Sequence, residues 1–183
     1  MESENRENEN RENEKNALTR PEIQFAPGKG LFRHDHFQIA YNTNDMERAL
    51  ALFSERYGIK EFRQLKGPTP AGGKIHMEIG WAGGVMYELI WGEGPGTEIF
   101  QVNLPKDEFA IRTHHLGYHV PTEAGWNEVI AEIERTGRKI LHKTHVPGFL
   151  QAIIVDQPEL GHFLEYIFPE AGGIQFFETA PSN

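Results

Sequence analysis

Four residues of the chain have types and spacing suited to holding a divalent metal: His36, Glu88, His115 and Glu165. His36 precedes Glu88 by 52 residues, and His115 precedes Glu165 by 50. Imidazole and carboxylate together suit zinc, nickel, cobalt, manganese or iron. Each glutamate lies in an apolar stretch, Tyr87-Glu88-Leu89-Ile90 and Leu164-Glu165-Tyr166-Ile167. A carboxylate in such surroundings is costly unless it is paired or metal-bound. A metal held there would act as a Lewis acid toward a carbonyl oxygen.

Other titratable residues read less sharply. His119, two steps beyond His115, is a candidate acid/base group or substrate contact, and His76 and Glu78 have the same standing. His114 has the opposite strand parity to His115 and reads as a non-ligand. His142 and His145 read as surface residues, and His162 as locally packed. Phe149, Phe163 and Met86 read as cavity wall, and Phe176-Phe177 as a terminal pair docked on the body.

The elements that must position these residues repeat. HFQIAYNTNDMERALALFSERYGIKEF from His36 can be laid on HLGYHVPTEAGWNEVIAEIERTGRKIL from His115 at an offset of 79, matching His36 with His115, Thr43 with Thr122 and Gly58 with Gly137. Each copy reads as an alternating strand, a capped helix ended by glycine, and further strands separated by turn clusters. The plan is βαβββ twice, an α+β fold with a curved mixed sheet around a cavity. If each strand's apolar parity faces a helix, the opposite parity carries His36, Gln38, His76, Glu78, Glu88, His115, His119 and Glu165 on one face.

These readings divide the chain into a disordered tail and lead-in (1–31), a first module (32–92), a linker (93–113), a second module (114–170) and a C-terminal extension (171–183). The first twenty residues, MESENRENENRENEKNALTR, hold too little apolar surface to offset the entropy of ordering them. The net charge of −9, without a basic cluster, argues against a nucleic-acid partner. The absence of cysteine excludes disulfides and thiolate chemistry. No apolar run has the length of a membrane span, so a cytoplasmic location is expected.

The motifs, taken in order, resemble the vicinal oxygen chelate superfamily, which includes glyoxalase I, methylmalonyl-CoA epimerase, extradiol dioxygenases and bleomycin-resistance proteins. They are His36-Phe-Gln-Ile-Ala-Tyr with Asp45-Met-Glu-Arg-Ala-Leu, Tyr-Glu88-Leu-Ile, His115-Leu-Gly-Tyr-His-Val, and Asp156-Gln-Pro-Glu-Leu-Gly-His-Phe-Leu-Glu165-Tyr. The resemblance spans about residues 32–170. It implies that the first and last strands of each module supply the ligands His36, Glu88, His115 and Glu165. It also implies a metal-dependent lyase or isomerase that chelates adjacent oxygens of a carbonyl substrate, with Glu165 or Glu88 acting as base. An iron(II) dioxygenase of an aromatic diol, using His36, His115 and Glu165, and a non-enzymatic small-molecule binding protein are the alternatives. A homodimer is expected.

Overall fold

The computed structural model describes residue 28 and residues 30–183. The expected tail of residues 1–20 lies outside the described residues. Packing begins earlier than the expected start near Phe32: the Gly28 and Gly30 amides donate to the Glu132 carboxylate, and the Tyr166 hydroxyl donates to the Leu31 carbonyl.

The first half runs β1 (Asp35–Thr43), α1 (Met46–Tyr57), β2 (Arg63–Pro68), β3 (Lys74–Ala82) and β4 (Val85–Glu93). A 3-10 helix (Glu98–Gln101) lies in the connection. The second half runs β5 (Ile111–His119), α2 (Glu123–Thr136), β6 (Ile140–Val146), β7 (Leu150–Val155) and β8 (Phe163–Pro169), followed by α3 (Ala171–Glu178). All eight strands form one curled sheet in the order β2-β3-β4-β1-β5-β8-β7-β6. The first strand of each half pairs parallel with its last, and β1 meets β5 antiparallel at the centre.

The helices form where local signals place them. The Asp45 side chain accepts from the Arg48 amide, and Thr122 does the same for Gly125. Each satisfies a donor that the first turn leaves open. Gly58 and Gly137 end α1 and α2 in the left-handed region, at φ 73° and 67°. Ala49 and Phe53 of α1 bury against Leu89, beside Tyr41, Tyr87 and Trp91. Val129 and Ile133 of α2 bury against Tyr118, Leu164 and Tyr166. Both helices thus cover one face of the sheet, and the other face curls around a cavity of 640 Å³.

The face assignment holds for β4, β5 and β8 and inverts for β3. Ile75, Met77 and Ile79 line the cavity. His76 and Glu78 pair with Trp91 and Leu89, the side chains that face α1. They bond each other at 2.6 Å, and Gln64 donates to Glu78 at 2.8 Å. The expectation that both face the site is therefore corrected. The cavity wall is itself apolar, so apolar parity in β3 marks the cavity and not the helix. Among the described residues, no helix is long and apolar enough to cross a membrane.

Candidate metal centre

The two central strands each carry an irregularity just before a site residue. In β1 the register with β5 shifts between His36 and Gln38, and in β5 it shifts between Thr113 and His115. Phe37 and His114 are the extra residues. A bulge of this kind breaks strict alternation and re-aims a side chain. Gln38 and His115 consequently face the cavity floor, where Glu88 of β4 and Glu165 of β8 join them.

The three ionisable groups converge. Ligand atoms of Glu88, His115 and Glu165 all lie within 4.8 Å of one another. His115 Nε2 is 3.0 Å from Glu165 Oε2 and 3.4 Å from Glu88 Oε2. The Gln38 amide nitrogen donates to Glu88 Oε2 at 3.1 Å. Glu88 and His115 are buried, while Glu165 retains partial access from the cavity.

Electrostatics follow from this burial. Desolvation raises the Glu88 carboxyl above its ordinary range, against the neighbouring His115 imidazole, which lowers it. For His115, burial disfavours the charged ring, but Glu165 and then Glu88 outweigh it and push the imidazole up to about 10.

His36, expected as a ligand, is not part of this group. It lies beyond the bulge, with its ring 5.3 Å from that of Tyr118 and its Nε2 3.0 Å from the Gln38 carbonyl. Tyr118 belongs to the core beneath α2, so His36 faces the wrong side of the sheet. Gln38 takes the expected position. The sequence held a usable signal for this. Gln38 precedes Glu88 by 50 residues, the same interval as His115 to Glu165. The helix N-caps Asp45 and Thr122 are likewise 77 apart, as are Gln38 and His115. The offset of 79 arises only beyond the helices, because α2 has 14 residues and α1 has 12.

Other expectations resolve as follows. His119 shares the cavity-side parity of Ile167 but packs edge-on to Phe37, at 6.3 Å, and is not one of the grouped ligands. His114, expected on the opposite face, is turned inward by the bulge and buried between Phe100 and Phe163. His142, expected at the surface, lines the cavity with its ring against Phe100. Phe149, Phe176 and Phe177 form cavity wall.

The residues present fit a metal. Gln38 Oε1 and His115 Nε2 are buried polar atoms without a hydrogen-bond partner, and both belong to side chains on the cavity floor. Buried polar atoms are seldom left unsatisfied. A cation beside His115 Nε2 would satisfy that nitrogen, and turning over the Gln38 amide, whose nitrogen faces Glu88 Oε2, would present Oε1 to the same group. One imidazole, one amide oxygen and two carboxylates are donors suited to zinc, manganese, cobalt, nickel or iron(II).

In sequence comparisons, no family model and no curated protein matches the chain. Solved structures do resemble it. A Streptomyces coelicolor methylmalonyl-CoA epimerase, crystallised with 2-nitronate-propionyl-CoA, is 15% identical with a TM-score of 0.51, over 75% of this chain and 98% of the epimerase. The Mycobacterium tuberculosis methylmalonyl-CoA epimerase is 12% identical with a TM-score of 0.50, over 80% and 93%. A hypothetical protein from Bacillus halodurans is 16% identical with a TM-score of 0.50, over 74% and 94%. With two βαβββ halves joined in one curled sheet and a polar floor between their inner strands, the chain has the fold of the vicinal oxygen chelate superfamily.

Proposed function

We propose that this protein is a metal-dependent isomerase or lyase that moves a proton on the carbon next to a carbonyl group. Gln38 Oε1, Glu88, His115 Nε2 and Glu165 would hold the metal. The metal supplies positive charge that stabilises an anion developing on the substrate oxygens.

Glu165 is the base. Its carboxylate takes the α-proton, and the C–H electron pair moves toward the carbonyl to give an enolate. Return of the proton to the same carbon epimerises it; where that carbon bears a hydroxyl, passing the hydroxyl proton to the former carbonyl oxygen and the abstracted proton to the former carbonyl carbon isomerises the compound. Glu165 suits this role better than Glu88 because its side chain keeps 15% exposure against 7%. Glu88 is also engaged by the Gln38 amide. The apolar cavity keeps bulk water from the reacting carbon, which strengthens each charge interaction. His119 stands apart from the floor and has no assigned step.

The observation that carries this reading is the convergence of two carboxylates and one imidazole at the floor of a largely apolar cavity. The similar epimerases support an isomerase-type activity. The dioxygenase alternative relied on a second imidazole, and His36 faces away from the cluster.

The test is deuterium exchange of α-protons in carbonyl compounds, followed by proton NMR in heavy water under nitrogen. Zinc, nickel or cobalt should each support exchange, and Glu165→Gln should abolish it. A substrate that turns over only with iron and oxygen would overturn the proposal.

A further inference from the structure

We infer that the substrate is an uncharged carbonyl compound that carries a bulky apolar body reaching the wall formed by Phe176 and Phe177. The polar head rests on the function proposed above. The apolar body rests on the cavity alone.

The cavity of 640 Å³ is in the range that encloses a drug-sized molecule. Its polar floor is small, and its walls are Ile75, Met77 and Ile79 from β3, Ile167 from β8, and the phenylalanines of α3. β3 lies one strand from the sheet edge, yet its cavity-side positions are all aliphatic. The edge strands continue the pattern to the rim, where Leu65 of β2 and Val146 of β6 are 39% and 47% exposed. Large apolar side chains held open to solvent around one concavity mark a binding surface.

Charge points the same way. The ionisable residues along the cavity are Glu88, His115 and Glu165 at the floor, His142 and His145 of β6, and Lys66 and Lys143 at the rim. Lys66 pairs with His76 and Lys143 with Ile153, both on the helix-side parity, so the two lysines project away from the interior. His142 is engaged by Thr144 Oγ1 at 3.1 Å and His145 faces Glu170 at 3.9 Å, so an anionic body would be desolvated above two floor carboxylates with no cation committed to it. An apolar body would gain from the same burial.

The far wall is built in place. The Phe176 carbonyl accepts from Arg63 Nη1 at 2.7 Å, and the Phe177 carbonyl accepts from Trp81 Nε1 at 2.9 Å. Asn183, at the end of the same segment, accepts from the Lys60 and Glu61 amides at 2.8 Å. The main chain that carries the two rings is therefore held in place at the cavity wall.

Three α-hydroxy ketones separate the possibilities: benzoin (large and apolar), acetoin (small and neutral) and dihydroxyacetone phosphate (anionic). Binding to the zinc-loaded full chain is measured by calorimetry, and α-proton exchange by NMR. Benzoin should bind at least tenfold more tightly than either of the others. Phe177→Ala, or Phe177→Leu should the alanine variant fold poorly, should weaken benzoin severalfold and leave acetoin unchanged. Equal binding of benzoin and acetoin, or preference for the phosphate, would overturn the inference. Exchange without a preference for benzoin would uphold the enolisation reading and sink the apolar body. Preference without exchange would do the reverse.

Discussion

His114 Nδ1 lies 2.8 Å from His115 Nδ1, and the far side of His114 decides which ring holds the proton between them. His114 Nε2 lies 3.0 Å from the Ile99 carbonyl oxygen, which can only accept. Burial, and then the charge of His115, push the His114 imidazole down to about 3, so it is neutral near pH 7. Its single proton therefore sits on Nε2 and its Nδ1 accepts. His115 must donate from Nδ1, which leaves Nε2 as the atom facing the two carboxylates. A neutral His115 in this tautomer presents a lone pair to a metal.

His114→Ala should therefore weaken metal binding by about 10- to 100-fold, the usual cost of losing the partner that orients a ligating histidine. His114→Asn should recover most of the loss, because its side-chain oxygen can accept from His115 Nδ1. Competition against a chromogenic zinc chelator measures both. Alanine and wild-type proteins of equal affinity would remove this role from His114.

The periodic features of the chain are legible in its sequence, and the departures from periodicity are not. Alternation, capping residues and terminal glycines gave the βαβββ plan, and the apolar flanks of Glu88 and Glu165 marked those carboxylates. The bulges at Phe37 and His114 shift side-chain parity by one residue with no compositional sign, so strict alternation puts His36 inside and His114 outside. Strand β3 was inverted because an apolar cavity and a helix-covered core make the same demand on sequence. Gln38 reads only as one more residue of the cavity-side face, because a neutral amide does not announce a metal, although its 50-residue interval to Glu88 marks it.

Metal uptake should release protons. Without metal, the carboxylates hold His115 protonated up to about 10, despite the burial that opposes it. Ligation needs the bare Nε2, so binding at pH 7 should expel about one proton per site. Calorimetry in buffers of differing ionisation enthalpy would show it as a linear dependence of the observed heat. Apparent affinity should rise about tenfold per pH unit in the neutral range. For the metal-free protein, the sign follows from the raised value: the stabilisation is fully present below the ordinary histidine pKa of about 6.5 and is lost as pH rises through about 10. A binding heat independent of buffer would contradict a protonated His115.

Gln38 owes its place to Gly117, its partner across β1 and β5. A Cβ added at Gly117 would meet Gln38 Oε1 at 2.4 Å and Gln38 Cβ at 2.8 Å. The Gln38 side chain lies flat over a position where only glycine leaves room. Gly117→Ala should thus displace the amide from Glu88 and cost about 1–3 kcal/mol of stability, as overpacking at a tight site does. It should also lower metal affinity, and Gln38→Ala should do the same without the packing strain. His36→Ala should leave affinity unchanged, since that ring rests on Tyr118 across the sheet. Chelator competition with chemical denaturation of the three variants tests the arrangement. Loss of metal in His36→Ala with retention in Gln38→Ala would return the fourth ligand to His36. The reverse pattern, joined to a destabilised Gly117→Ala, would fix the floor as Gln38, Glu88, His115 and Glu165.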